Sequence, residues 1–226
     1  MAQRLCLGMV FPHLLLLNNI VSSKSTGLER MLLNYGIIPD VIDAAPDFMI
    51  DVSLRNRTFK MGEKVDATGM QRVPKFKWPA KPDILYTLLM IDPDVPFPKN
   101  PSMAERQHYI VGNIKGCGYR DEGAQEITGY MGPFSPKNLG FHRTTFLVYS
   151  QNSFIEFKEP RYTSQDRMFK QRYKFSTRKF ARKYNLTLFA VNFLMTGWPL
   201  YQSTQKPAAP KYKAFREHFA PSRSEV

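Results

Sequence analysis

The chain has 226 residues, enough for one large all-β domain with its own hydrophobic core. It carries 32 lysines and arginines against 19 aspartates and glutamates, and the formal charge of +13 favours anionic partners. Two cysteines, Cys6 and Cys117, are too few for a disulfide framework. Prolines and glycines are scattered along the chain, which is typical of turns and not of disorder.

The amino-terminal residues have the layout of a secretory leader. An apolar run from Leu5 to Leu17 follows Arg4, and small side chains up to Ser23 would allow cleavage there. The run is too short to span a membrane. We therefore predict a signal peptide over residues 1–23 and a secreted protein, with a cytoplasmic or mitochondrial location as the alternative.

Two triplets match the acceptor pattern for N-glycosylation. They begin at Asn56 and Asn185, and each has a threonine two residues later. Both are compatible with the secretory route, although such triplets also occur often by chance.

Strands dominate the elements predicted after the leader. A short amphipathic helix is expected over Thr26–Tyr35, ended by Gly36. Both alternating faces of Leu85–Asp92 are apolar, which indicates a central strand buried on both sides. The predicted strands are Phe48–Leu54, Leu85–Asp92, His108–Ile114, Thr144–Tyr149 and Leu186–Thr196.

A second helix is predicted late in the chain, from the N-cap residue Ser176 to about Tyr184. Phe180 lies four residues before Tyr184, so both can face the core while the basic residues between them face away. Many short strands with appended helices predict a mainly β protein, an antiparallel β-sandwich with a few peripheral helices. We expect one domain over residues 24–205 and a basic, helical tail over 206–226.

The segment Asp92-Pro93-Asp94-Val95-Pro96, called the acidic turn below, follows the central strand. Its prolines fix the backbone where the chain leaves the sheet, so the carboxylates of Asp92 and Asp94 are held on a rigid loop. The surrounding sequence has neither the third acidic ligand of a calcium loop nor the Asp-Thr-Gly of aspartic proteases. Taken alone, the pattern favours a turn with solvated carboxylates.

His108 and His142 lie at the ends of two other predicted strands. An aspartate that accepts a hydrogen bond from one imidazole nitrogen raises the basicity of the ring, and the other nitrogen can donate to a phosphate oxygen. Glycine and proline in the segment 132–135 would shape a loop whose amides also point at an anion. These residues together predict an anion-binding site at one end of the sheet.

Three segments of the chain resemble the signature of the phosphatidylethanolamine-binding, or Raf kinase inhibitor, protein family. They occur in the order and with the spacing of that family. The stretch 174–190 is similar to the family's approach to its last strand, and Tyr35–Asp40 resembles the secreted branch found in invertebrates. The three segments are Asp92–Pro96, Glu105–Tyr109 and Gly140–Arg143.

The resemblance implies a pocket at one end of the sandwich for phosphate, acetate or a phosphoethanolamine headgroup. In that case the histidines and loop amides would hold the phosphate. The aspartates would orient the histidines or accept from the ligand's ammonium, and no metal or cofactor is implied. The matching positions are Asp92, Asp94, Pro96, His108, Gly132, Pro133, His142 and, in a loosely aligned segment, Tyr201.

The chain departs from the family pattern at the rim of this pocket. Arg106 stands where the family usually has a tryptophan, Gln107 where a histidine is common, and Thr144 where a tyrosine often lines the pocket. If Arg106 points inward, the mouth becomes more polar and more positive. Anions without an ammonium group then become better candidates as ligands.

Basic residues with interleaved aromatic residues occupy positions 158–183. Three interpretations of this segment are open. A solvated basic face is the favoured interpretation, followed by an anionic membrane surface. Nucleic acid comes last, because no RNA- or DNA-binding motif accompanies the charge.

The sequence therefore predicts a binding protein and no enzyme. It contains no nucleophile elbow, zinc signature or phosphate-binding P-loop. One alternative is a regulatory protein that binds and inhibits a kinase or a protease. Another is a mitochondrial ribosomal protein with a domain of the same family.

Overall fold

A computed structural model describes residues 26–134, 140–166 and 170–198, which form two packed β-sheets with short helices at the periphery. The helices are α1 (Gly27–Asn34), α2 (Ile37–Asp40) and α3 (Thr177–Lys183), with 3-10 turns at Ala67–Met70 and Lys170–Arg172. The strands are β1 (Phe48–Met49), β2 (Asp51–Leu54), β3 (Arg57–Phe59), β4 (Lys64–Asp66), β5 (Lys75–Lys77), β6 (Leu85–Asp92), β7 (Arg106–Lys115), β8 (Gln125–Thr128), β9 (His142–Gln151) and β10 (Thr187–Gly197). The predicted mainly β sandwich is confirmed.

The larger sheet has seven strands and is built around long antiparallel pairs. Its order is β1-β10-β9-β6-β7-β8, and β4 also pairs with β10. Two short strands, β1 and β4, run parallel to β10, so the sheet is mixed at this edge. The smaller sheet, β3-β2-β5, is antiparallel throughout.

The central strand β6 divides the core into two layers, as its sequence predicts. Tyr86, Leu88 and Met90 pack between the two sheets. Leu89 and Ile91 pack on the other face, beneath α1 and α3. Apolar contacts on both faces fix the register of β6 between β7 and β9.

The strand predicted over Phe48–Leu54 is two strands, which corrects the sequence analysis. Phe48 and Met49 pair with β10 in the larger sheet, and Asp51–Leu54 belong to the smaller one. Ile50 is fully buried at the crossing, and its amide donates to the carbonyl of Val191. The chain therefore passes from the larger sheet to the smaller one at Ile50, and the residue pattern around Ile50 gives no sign of this change.

Both predicted helices are present. Oγ1 of Thr26 accepts from the amide of Glu29 at 3.1 Å and begins α1. Oγ of Ser176 accepts from the amide of Lys179 at 3.3 Å and begins α3. Phe180 of α3 is buried in the outer core layer, and the basic residues of this helix point outward, as predicted.

Candidate functional site

The acidic turn begins on the face of β6 that packs between the two sheets. Asp92 continues the alternation of Leu88 and Met90 and is almost completely buried. Its Oδ1 accepts from the amide of Asp94 at 2.8 Å, and its Oδ2 accepts from Nδ1 of His142 at 2.7 Å. This contact orients the imidazole, so that its other nitrogen, Nε2, faces away from the carboxylate.

Asp94, the second carboxylate of the acidic turn, contacts Arg143, the residue that follows His142. Asp94 accepts from the amide of Arg143 at 2.8 Å and from its guanidinium at 2.6 Å. The same guanidinium donates to the carbonyl oxygens of Tyr35 and Gly36. Because adjacent residues of a strand point to opposite faces, the turn is clamped between His142 on one face and Arg143 on the other.

His108 is the additional residue of a β-bulge in β7. Met90 pairs with Tyr109 and Ile91 with Gln107, so His108 has no partner in the register. Its Nδ1 lies 2.9 Å from the carbonyl oxygen of Met131. A carbonyl oxygen only accepts, so Nδ1 carries the proton and donates.

Burial and charge shift the pKa values of Asp92 and His142 in opposite directions. Burial alone would raise the pKa of Asp92, but the hydrogen bond and the charge of His142 outweigh it and lower that pKa. Burial alone would lower the pKa of His142, but the bond to Asp92 and the charges of Asp92 and Asp94 raise it. Both shifts favour the ion-paired form, in which His142 is protonated and its Nε2 is a donor.

Burial dominates the protonation of His108. It lowers the pKa of the ring from 6.5 to about 4, against the opposing charge of Asp92. At neutral pH the ring is thus uncharged, with its proton on Nδ1. Its Nε2 then carries a lone pair and acts as an acceptor.

The two free ring nitrogens are the clearest indication of a ligand site. Across the described ranges, Nε2 of His108 and Nε2 of His142 are buried without a hydrogen-bond partner. A buried polar atom without a partner costs roughly 1–3 kcal/mol. Two such atoms beside Asp92, whose charge acts on both rings, indicate a place for a polar ligand.

Arg106 points into this site. It pairs with Asp92 in the register of β6 and β7, is 5% exposed, and lies with its guanidinium carbon 4.8 Å from the ring centre of Tyr173. Its charge lowers the pKa values of both His108 and His142. A permanent cation therefore stands beside the two imidazoles.

The other two departures from the family pattern do not add charge. Gln107 faces the opposite side, where its Oε1 accepts from the hydroxyl of Thr128 at 2.8 Å. Thr144 is buried, and its hydroxyl lies 2.7 Å from that of Thr196.

Gly132 and Pro133 close one side of the site through their backbone. A Cβ at Gly132 would lie 2.7 Å from the carbonyl oxygen of Met70, so a side chain cannot fit without a shift of that backbone. Nε2 of Gln71 donates to the carbonyl oxygen of Pro133 at 3.2 Å. The described part of the loop therefore packs directly on the 3-10 turn, and Phe134 at its end is 59% exposed.

The remaining predicted positions are Pro96 and the two glycosylation candidates, together with three predictions that lie outside the described residues. Pro96 is half-buried after a cis peptide bond, and Asn56 and Asn185 are exposed. Tyr201, the leader over 1–23 and the tail over 206–226 lie outside the described residues. In the part of the chain that the structure describes, no cluster of three metal-ligating side chains occurs, and no helix has the length and apolarity needed to cross a bilayer.

Two elements of the site were missed by the sequence analysis. Arg143 was recognised as part of a signature, but its role as the partner of Asp94 was not predicted. The alternation of side chains along a strand would have placed it opposite His142. The carbonyl oxygen of Met131 carries no signal in the sequence, since any residue provides one.

Comparisons with known proteins identify relatives along most of the chain. Residues 55–196 match the profile of the family described as phosphatidylethanolamine-binding protein. The chain is 29% identical to the putative odorant-binding protein A5 of Drosophila melanogaster over 195 residues, which cover 84% of this chain and 91% of that protein. It is 31% identical to the 26 kDa secreted antigen of Toxocara canis over 163 residues, which cover 71% of this chain and 61% of the antigen.

A solved structure agrees with the fold. The phosphatidylethanolamine-binding protein from Plasmodium vivax superposes with a TM-score of 0.63 over 75% of this chain and 96% of that one. The two sequences are 23% identical, so this likeness supports the fold alone.

Proposed function

Since the chain belongs to the phosphatidylethanolamine-binding protein family, we propose that it binds ligands bearing a phosphate or another anionic group and catalyses no reaction. The observation that carries this proposal is the pair of buried imidazoles whose Nε2 atoms lack partners in the described structure. A ligand that contacts both atoms would remove the cost of leaving them unpaired.

The ligand must supply an acceptor for one histidine and a donor for the other. Nε2 of His142 donates, because the ring is protonated beside Asp92, and suits a phosphate oxygen. Nε2 of His108 accepts, because Nδ1 donates to Met131. A P–OH group of a singly protonated phosphate satisfies it, and so does the N–H of an ammonium group.

Arg106 favours ligands with net negative charge. Its guanidinium remains charged at every physiological pH, and the neutral ring of His108 adds no charge of its own. Asp94 is already satisfied by Arg143 and is a poor partner for a ligand ammonium. These contacts support binding of phosphate monoesters or free phosphate above binding of a zwitterionic headgroup.

Calorimetric titration of the full chain with phosphate and with phosphorylethanolamine tests the proposal. Wild type is expected to bind phosphate saturably, and the His108→Ala/His142→Ala variant is expected to lose measurable binding. Gln151→Ala is the matched control, because Gln151 is buried in a hydrogen-bond network at the opposite end of β6. It should lower the melting temperature and leave phosphate affinity within about twofold.

The outcomes separate the site from its ligand preference. If neither ligand binds wild type at millimolar concentration, the proposed function is wrong. If both bind and phosphorylethanolamine is the tighter ligand, the anion pocket stands and the preference assigned to Arg106 is wrong.

The names of two relatives support an extracellular location. One is called a secreted antigen and the other an odorant-binding protein. We propose that this chain is secreted after removal of residues 1–23, and amino-terminal sequencing of protein from expressing cells tests this. A mature protein that begins at Met1 inside the cell would instead favour the regulatory role with a kinase or protease partner.

A further inference from the structure

A second cationic site lies beside the smaller sheet, away from the two histidines. Three arginines reach it from three separate loops, and the cavity measures about 540 Å³. No aspartate or glutamate lines it where the chain is described. The lining consists of Arg55, Arg72 and Arg120 with Leu54, Gln71, Val73, Tyr130 and Ser164.

The arginines differ in how they are held. Nη2 of Arg120 donates to the carbonyl oxygen of Val73 at 2.9 Å, and its guanidinium lies 5.3 Å from the ring centre of Tyr119. Arg55 sits at the turn between β2 and β3, and Arg72 follows the 3-10 turn. Neither of these two makes a side-chain hydrogen bond or ion pair with any described residue. One arginine held by a hydrogen bond and two without a side-chain bond to any described residue therefore line one open groove.

We propose that this groove binds a sulfated polysaccharide. Sulfate groups stay charged at every physiological pH, and the planar guanidinium group matches their oxygens with paired hydrogen bonds. A linear sulfated chain presents such groups repeatedly, which suits three arginines spread along an open groove.

The three arginines belong to the groove alone, and Gln71 is the residue at which the groove meets the loop of the histidine site. Gln71 lies between them: its Nε2 donates to the carbonyl oxygens of Ala67 and Pro133, and the same side chain lines the groove. The inference is therefore independent of the proposed phosphate site. Variants of one site leave the contacts of the other in place.

Heparin is the probe for this inference. The full chain, made in bacteria so that Asn56 carries no glycan, is titrated with heparin at several salt concentrations. Removal of three phosphate- or sulfate-binding charges should lower affinity about tenfold or more and flatten the salt dependence. The groove variant is Arg55→Gln/Arg72→Gln/Arg120→Gln, and the control with the same change of charge, at exposed lysines in and before α3, is Lys170→Gln/Lys174→Gln/Lys179→Gln.

The control is expected to lose affinity only about twofold, through net charge alone. Arg55→Gln/Arg72→Gln is measured as well, because it breaks no hydrogen bond in the described structure and should still lose several-fold. The His108→Ala/His142→Ala variant should bind heparin like wild type.

Three results would overturn the inference. Equal losses of heparin affinity in the groove and lysine variants would mean that heparin binding depends on net charge alone. Loss in the histidine variant would place the polyanion in the other site. Poly-glutamate binding that is as tight as heparin and depends on the same arginines would assign the groove to an acidic protein segment.

Discussion

His142 and His108 are both buried at one end of the sheet, and burial alone lowers the pKa of each ring, yet their net pKa shifts are opposite. Nδ1 of His142 donates to the carboxylate of Asp92, and the pKa of this ring is raised. Nδ1 of His108 donates to the carbonyl of Met131, and the pKa of this ring falls to about 4. Both side chains are almost completely buried, and the main difference between them is the group that accepts from Nδ1. The charge of Asp94 also raises the pKa of His142, and the charge of Arg172 also lowers the pKa of His108.

The comparison shows that the partner of a buried histidine decides its role. A carboxylate supplies a full charge that offsets the loss of water around the imidazolium. A carbonyl supplies only a dipole, which orients the ring without keeping it charged. One site thereby obtains a donor and an acceptor from two identical side chains.

Asp92→Asn should have the largest effect, because it should remove most of the difference in pKa between His142 and His108. The variant removes the charge that keeps His142 protonated, so the pKa of His142 falls and its Nε2 becomes an acceptor like that of His108. Loss of one member of a buried ion pair costs about 3–5 kcal/mol of unfolding free energy. Urea denaturation measures that loss, and NMR titration of the four histidines measures the pKa.

Asp94→Asn is the matched control for that substitution. It changes the other carboxylate of the same turn, whose main partner is Arg143. We expect a lower stability but a much smaller change in the pKa of His142, since only the distant charge of Asp94 is removed. An unchanged pKa of His142 in Asp92→Asn would show that the carboxylate does not set its protonation.

The pH dependence of stability should distinguish the two histidines. The pKa of His108 is 6.5 when unfolded and about 4 when folded, so the unfolded chain takes up the proton first as pH falls. Stability should drop by roughly 3 kcal/mol between pH 6.5 and 4. Urea denaturation across this range measures it, and His108→Gln should flatten it.

His142 should affect the stability of the fold as pH rises above 6.5, whereas His108 affects it as pH falls below 6.5. Its folded pKa is raised, so the stability it contributes is complete below the unfolded value of 6.5 and is lost as pH rises through the folded value. The variant His142→Gln should therefore flatten the alkaline side and leave the acid side steep. The same acid-side slope in wild type and His108→Gln would contradict the assignment of His108 as a neutral buried ring.

The fold was predictable where the sequence pattern is long. Eight residues of Leu85–Asp92 suffice to show two apolar faces, and the structure places them in two core layers. Three residues of Lys75–Lys77 are too few to show a period of two, and this strand was not predicted. The break at Ile50 was missed because it depends on a hydrogen bond to Val191, which is distant in the chain.

The sequence singled out a set of candidate site residues but not the role of each one. Spacing and resemblance singled out Asp92, His108 and His142, and the structure joins the first to the third directly. The acceptor role of His108 depends on a bulge and on a carbonyl of residue 131, features that no side-chain pattern reveals. The sequence motif therefore indicates an anion site, while the protonation of each ring follows from the backbone.

Arg106→Met should produce the smallest change in the pKa values of the two histidines and test what sets the difference between them. The charge of Arg106 lowers the pKa values of both His108 and His142, so its removal should raise both by less than about one unit and keep their order. Arg106→Lys retains a charge and should leave both values nearly unchanged. NMR titration of the histidine ring protons measures these shifts. A rise in pKa confined to His142 would mean that Arg106 acts through Asp92 and not on the two rings directly. Phosphate affinity should fall only a few-fold in the methionine variant.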